Sequence, residues 1–543
     1  MKQFSFFILF LLLLMGCSKK KVDLIIYNGK IYTVNEKFDL AEAMAIQDGK
    51  IVGVGTNSDI RSEFKANEEV DVHGKAVYPG FIDAHAHFFG YGQSLQAADL
   101  KETTSWDEVV LHLTEFAKTH PDGWLIGRGW DQNDWADKRF PTKEKLDQLF
   151  PDRPVFLERI DGHAALVNQK ALDEAAISKS FALTGGDIVE KNGKLTGLLI
   201  DNAVGLVQNK IPSPNEKQAE KIFLDAEKNC FAVGLTTIDD CGLDFEAVDF
   251  IEKLQAQKTL KMRLYVMLSD TEKNFDYLFK RGAIKTDRLN VRAFKVYADG
   301  ALGSRGACLL HPYSDMPQKS GFLLSEVKHF EEVAKKINDH NFQMCTHAIG
   351  DSANRTILKI YNQVLGAKND KRWRIEHAQV VAPADFKLFG KSSIIPSVQP
   401  THATSDMYWA EDRLGPQRVK GAYAYKQLMN ENGWIPLGTD FPVEQINPMF
   451  TFFAATARKD AKDYPAGGYQ MENALTAEQA LRGMTIWAAK ANFEEKEKGS
   501  IEIGKFADFI VLENDIMKAT SAQILNNKVL KTYVNGEKVY EHK

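Results

Sequence analysis

Six residues of this 543-residue chain have the types and positions to hold metal ions: His85, His87, Lys295, His347, His377 and Asp440. His85 and His87 come first, at the end of the apolar run Pro79-Gly80-Phe81-Ile82-Asp83-Ala84. In a strand the i, i+2 spacing points both imidazoles to one face. The pair alone is weak, since two histidines can equally be satisfied core residues. Three later runs end in the same way. Phe342-Gln343-Met344-Cys345-Thr346 ends at His347, Trp373-Arg374-Ile375-Glu376 at His377, and Leu437-Gly438-Thr439 at Asp440. Each of these alone reads equally as a polar residue at a strand terminus. Together, four histidines and one aspartate at one end of one barrel form a ligand set for zinc or a similar divalent ion. Incomplete coordination would leave a place for water.

Lys295 lies in Val291-Arg292-Ala293-Phe294-Lys295-Val296-Tyr297, apolar apart from Arg292. A buried ammonium there is costly, so the plain alternative is a partly exposed or ion-paired lysine. Burial lowers the amine pKa, and a neutral amine can add carbon dioxide to give a carbamate, an anionic ligand able to bridge two metals.

The elements that must position these residues are strands. Eight candidates are Val77–His87, Gly234–Asp240, Met262–Leu268, Val291–Tyr297, Phe342–His347, Trp373–His377, Ile394–Gln399 and Ile435–Asp440. They alternate with charged, helix-like segments, the rhythm of βα units and a parallel sheet. Eight such units make a (β/α)₈ TIM barrel, whose chemistry sits at the C-terminal strand ends. The gap between the first two candidates is far longer than one helix needs. It holds its own strands, Trp124–Gly127 and Pro154–Leu157, and a hairpin-like Glu190–Lys194, so it reads as an inserted subdomain of about residues 95–225. Both chain ends look like hairpins: Val22–Tyr27 with Asn28-Gly29, Ala43–Val54, and Asp508–Tyr540 with Asn535-Gly536. They predict a small β-sandwich built from residues 22–76 and 497–543 around a barrel of 77–496.

The order HxH, Lys, His, His, Asp resembles the amidohydrolase superfamily. The strings Gly80–His87, Asp299–Arg305, His347–Asp351 and Arg374–Gln379 resemble its N-substituted formamide deformylase-like (YtcJ-like) branch, and the likeness runs from residue 22 to the C-terminus. The resemblance implies that His85 and His87 with Asp440 hold one metal, that His347 and His377 hold the other, and that Lys295 bridges them as a carbamate. Zinc is the expected ion, one or two per chain. Cys345, two residues before His347, should face the same way, to touch the metal or to pack.

The metals would activate water, and Asp440 is the candidate general base and then acid. The expected reaction is hydrolysis of a carbon–nitrogen bond in an N-acyl or N-formyl compound. A cyclic-amide hydrolase, a deaminase, an esterase or a non-catalytic binding lipoprotein are the alternatives, because a barrel with metals does not fix the bond cleaved. Lys295 speaks against the single-metal deaminase pattern. For substrate contacts the candidates are His163 in the insertion, Arg305 after strand four and His402 after strand seven; each could instead order its own loop. Trp124, Trp130 and Trp135 could wall the substrate or form the core of the insertion.

Composition excludes less. The net charge of −5 offers no basic stripe for nucleic acid. Phe4 to Met15 is an apolar run too short to span a bilayer, and Leu14-Met15-Gly16-Cys17 resembles a bacterial lipobox. Residues 1–16 would then be a signal peptide, Cys17 a lipid-modified membrane anchor, and 17–21 a tether on the periplasmic side or in the cell envelope. An ordinary secretory signal is the alternative. Cys230, Cys241, Cys308 and Cys345 form no CxxC pair and are expected to stay free. Oligomeric state leaves no signature.

Overall fold

The computed structural model describes residues 19–543; the signal-like segment and Cys17 lie outside them. Its centre is a sheet of parallel strands in chain order: Phe81–Ala86, Leu235–Leu243, Arg263–Ser269, Leu289–Tyr297, Gln343–Ala348, Arg374–His377 and Ile395–Ser397. These are seven strands, not the eight expected. The eighth position is taken by residues 435–440, which make one isolated parallel bridge, Val398 to Leu437. Gly438 N–H donates to Val398 O at 3.0 Å, and Leu437 O accepts from Ala84 N–H at 3.2 Å, so the segment spans the gap between strands seven and one. It stops being a strand because Asp440 takes φ = 64°, outside the β region.

The first predicted strand is also divided. Ala76–Pro79 joins another sheet, while Phe81–Ala86 enters the barrel. The break is at Gly80, where a Cβ would stand 2.3 Å from Thr236 Oγ1. Only glycine lets the two strands approach there.

Two sheets lie at the chain ends. One has four strands, Lys20–Tyr27, Ala43–Gln47, Lys50–Gly55 and Phe64–Asp71. The other has six and draws on both termini: Lys30–Tyr32, Leu40–Ala41, Ala76–Pro79, Phe509–Leu512, Val529–Val534 and Glu537–Glu541. Leu24, Met44 and Ile46 of the first pack with Ile31, Val77, Phe509 and Val511 of the second in one buried cluster. Asn28-Gly29 does not close a hairpin: Lys20–Tyr27 pairs with Ala43–Gln47 and Phe64–Asp71, and the turn carries the chain into the other sheet. Asn535-Gly536 does close one, both residues having positive φ as a two-residue hairpin turn requires.

Between barrel strands one and two runs a six-stranded sheet covering residues 98–201. Its strands alternate with period two: Val155 and Leu157 enter one apolar cluster, Phe156 the opposite one. Trp130 and Trp135 are buried in the first cluster and Trp124 packs against the second, so the tryptophans serve as core. No helix among the described residues is long and apolar enough to cross a membrane.

Candidate metal and active site

Six side chains converge at the C-terminal end of the barrel. His85, His377 and Asp440 bring donor atoms within 4.8 Å of one another, all buried. His87 joins through Asp440, with Nε2 3.2 Å from Oδ1. The rings of His347 and His377 are 4.5 Å apart, and Lys295 Nζ lies 3.2 Å from His85 Nε2. This grouping differs from the allocation implied by resemblance, since His377 falls in with His85, whose ring is 4.6 Å away. The space is small enough for the donor sets to share it.

Backbone and partner residues fix the geometry. His377 (φ = 71°) and Asp440 (φ = 64°) both take left-handed conformations that turn them off their strand directions. Asp83 accepts Thr439 N–H at 3.0 Å and the Thr439 hydroxyl at 2.7 Å, tying strand one to the Asp440 segment. Gly438 permits this approach, as a Cβ there would sit 2.6 Å from His85 N.

Three imidazoles have Nδ1 occupied: His85 with Glu376 Oε2 at 2.6 Å, His87 with the Cys241 carbonyl at 2.9 Å, and His377 with Gln399 Oε1 at 2.8 Å. Such bonds leave Nε2 as the free donor, the arrangement seen around metal-binding histidines. Burial, followed by the Lys295 charge, pushes His85 down to about 4. Burial and the neighbouring histidines hold His347 and His377 well below the usual range. Their surroundings thus favour the neutral form of His85, His347 and His377, the form a metal ligand needs. Burial opposes the Asp440 charge, yet the hydrogen bond from His402 and the nearby His87 hold its carboxyl well below the usual range. Among the buried atoms that find no hydrogen-bond partner, four lie in this cluster: Asp440 Oδ1, although His87 Nε2 is near, His347 Nε2, Glu376 Oε1 and Gln399 Nε2. Orphaned polar atoms in a buried cluster are costly unless a ligand meets them, so the residues present fit a divalent ion.

Lys295 is fully buried, but its pKa is raised. Burial does lower it, as the sequence suggested, and the Cys241, Tyr297, Glu376 and Asp440 charges outweigh that effect. Metal cations would reverse the local field and favour the uncharged amine. Cys345 packs with Cys241, Tyr265, Met267 and Ala293 in the barrel interior. The four cysteines among the described residues are free.

Above the cluster opens a cavity of about 330 Å³. His163 and His402 line it. His163 Nδ1 is 2.7 Å from Asp201, and its ring lies 5.0 Å from that of His347. His402 bridges Asp440 (3.2 Å) and Glu444 (3.0 Å); burial disfavours its charge, but these carboxylates raise it to about 10. Arg305 is not brought to the cavity: its guanidinium pairs with Asp315 at 2.8 Å.

Sequence reasoning passed over several contributors. Glu376 stands beside His377 in Arg374–Gln379, where an acid inside an apolar strand is a usable signal. Asp299, at the head of Asp299–Arg305, accepts the backbone N–H groups of Cys308, Ile349 and Gly350 at 2.8–2.9 Å and so shapes the turn after His347. Asp201 and Gln399 gave no local sign.

With this geometry in hand, the comparisons with known proteins are specific. The sequence pattern of the Amidohydrolase family matches residues 68–540. A Bacillus subtilis (strain 168) relative, YtcJ, is 32% identical over 526 residues, covering 95% of this chain and 99% of that one. The N-substituted formamide deformylase of Arthrobacter pascens is 26% identical over 96% of this chain and 98% of its own. A crystal structure of an uncharacterized metal-dependent hydrolase from Pyrococcus horikoshii superimposes with a TM-score of 0.76 at 26% identity, covering 92% of this chain and 99% of that one. A metal-ligand cluster at the mouth of a parallel barrel and a match across most of the sequence lead to one conclusion: the chain belongs to the amidohydrolase family.

Proposed function

We propose that this metal-dependent hydrolase cleaves a non-peptide amide bond of an N-acyl or N-formyl compound. The observation that carries the reading is Asp440, an ionised carboxylate with one unsatisfied oxygen among neutral imidazoles. His85, His87, His347, His377 and Asp440, with Lys295 as a carbamate formed from carbon dioxide, would hold one or two divalent ions, with zinc suited to these donors. Such ions supply Lewis-acid activation of water and of the substrate carbonyl.

The chain's own residues do the rest. Asp440 takes a proton from the attacking water and returns it to the amine nitrogen. The water oxygen bonds to the acyl carbon as the C–N bond breaks, leaving a carboxylic acid and an amine. His402, charged and 3.2 Å from Asp440, holds that carboxylate ionised and oriented. His163, fixed by Asp201, faces the reacting carbonyl from the insertion. Arg305 orders its loop through Asp315.

Cys17 would carry a lipid that anchors the exported protein to a membrane, leaving the cavity open to small molecules outside the cytoplasm. The test is a screen of zinc-loaded protein against N-formyl amines, N-acyl amino acids and cyclic amides. Turnover of an open-chain amide is expected; cleavage of cyclic amides or esters alone would overturn the reading.

A further inference from the structure

The cavity in front of Asp440 is rich in acids. Asp131 and Asp134 enter from the insertion, Asp406 from the helix Pro400–Asp406 after strand seven, and Glu102 from the rim. Its cations are spoken for. Arg159, buried, pairs with Asp131 and, at 2.5 Å, with Asp161. Lys101 stands at the exposed rim, 3.7 Å from Asp99. Lys295 belongs to the metal cluster. The charged His402 is held by Asp440 and Glu444, and His163 by Asp201, so among the described residues no cation inside the cavity is left to receive a substrate carboxylate, Lys101 standing outside on the rim.

The opposite charge is waiting. Asp134 has no ion-pair partner among the described residues, and burial together with the Asp131 charge pushes it up to about 6. Asp406 receives the Tyr423 hydroxyl at 2.8 Å and Gln379 at 3.2 Å, both on Oδ2. Burial pushes it up to about 7 against the opposing charge of His402, and the Glu444 and Asp131 charges add to the rise. Asp131 keeps Arg159 and Asp406 faces the charged His402, so the acid left without an ion pair among the described residues is Asp134, and an incoming cation is drawn there. The buried indole of Trp409 lines the same cavity. That a ligand enters at all rests on a separate observation, the orphaned Asp440 Oδ1 and His347 Nε2 at the cavity floor. The acids decide which ligand.

We propose that the amide cleaved here bears a positive charge on its amine side: an N-acyl or N-formyl derivative of a diamine, whose free ammonium docks between Asp134 and Asp406 with its alkyl chain along Trp409. This rests on the amide reading above and narrows it. Hydrolysis adds water across the C–N bond and gives a carboxylate and a diamine. N-acyl amino acids, whose carboxylate meets the same acids, are turned away.

The experiment pairs turnover with binding on the zinc-loaded full chain. The kcat/KM values of an N-formyl diamine, an N-formyl alkylamine of equal length and an N-formyl amino acid are compared, and butane-diamine and butylamine are titrated by calorimetry. The expected preference for the cationic over the neutral substrate is roughly tenfold, the scale of one charge-assisted hydrogen bond. Asp134→Asn and, separately, Asp406→Asn should pull that ratio toward one. The second variant is checked by circular dichroism, and the more exposed Asp134 decides if Asp406→Asn fails to fold. Equal rates for charged and neutral amides, or faster cleavage of the amino-acid derivative, overturn the proposal. Absence of all amide cleavage with tighter diamine than monoamine binding retains the charge selection and removes the amide reading. Equal binding of the two amines, with no cleavage, removes both.

Discussion

At the floor of the barrel Arg263 is buried against Asp508, with Nε 2.5 Å from Oδ2 and Nη2 2.9 Å from Oδ1. The remaining guanidinium hydrogens reach Asp287 O and Asn535 Oδ1, the Asn535 N–H binds Asp508 Oδ1 at 2.9 Å, and Phe506 stacks at 3.9 Å. At the mouth, Asp440 and His347 are buried as deeply, and each keeps an atom with no partner. The floor uses charge to join a barrel strand to a C-terminal strand and finishes the job within the chain. The mouth leaves its polar atoms incomplete. Burial alone does not distinguish structural charge from functional charge, and neither does one unfilled valence, since Glu494 Oε2 beside Lys498 also lacks a partner; several such atoms converging on one cavity do.

This contrast can be broken. Removing metal should have the largest effect: a chelator is expected to abolish hydrolysis, zinc to restore it, and elemental analysis to find up to two divalent ions per chain. A chain that stays metal-free under zinc loading and remains active would make the mouth another self-contained network. Asp440→Asn should lower kcat on the order of 10²–10⁴-fold, the range of general acid–base catalysis, with an unchanged circular dichroism spectrum. Retained turnover removes Asp440 from the proton transfer.

Asp508→Ala should do the reverse. Leaving Arg263 buried and unpaired is expected to cost about 3–5 kcal/mol in denaturant unfolding, while metal content holds. A near-zero cost would show that the floor pair contributes no more than a surface pair.

The smallest effect is pH dependence in the metal-free protein. His402 rises from 6.5 to about 10 in the fold, so its pairing stabilises fully below pH 6.5 and fades as pH climbs toward 10. Asp508 is depressed because Arg263 outweighs its burial, so its contribution is present above its ordinary value of 3.8 and is lost as pH falls below that. Thermal melts of His402→Gln should lose the alkaline slope and keep the acid one.

How much of this was legible follows the same division. His85, His87, His347, His377 and Asp440 were readable because each ends an apolar run, and strand ends on one side of a barrel must meet. Strand seven and the Asp440 segment were readable as apolar runs, but positive φ at Asp440 converts the last from strand to turn, which no run of residues announces. Asp508 lies 245 positions from Arg263, and nothing local to either tells of the other. The Asn28-Gly29 turn carried the right local signal, and the competition for strand partners was decided elsewhere. Arg305 sat in a string that pointed to the site, and Asp315, ten residues on, claimed it.

Ala76–Pro79 is the hinge on which His85 hangs, and its two edges are filled at very different times. One edge pairs with Lys30 and Ile31, the other with residues 509–512. A ribosome delivers the first partner early and the second after nearly the whole chain has been made. Until then the strand presents an open edge, and contacts spanning so many residues form slowly. The metal-binding end is therefore a late product of synthesis: ribosome-bound chains halted before residue 500 are expected to retain no zinc, and a released full-length chain to take it up.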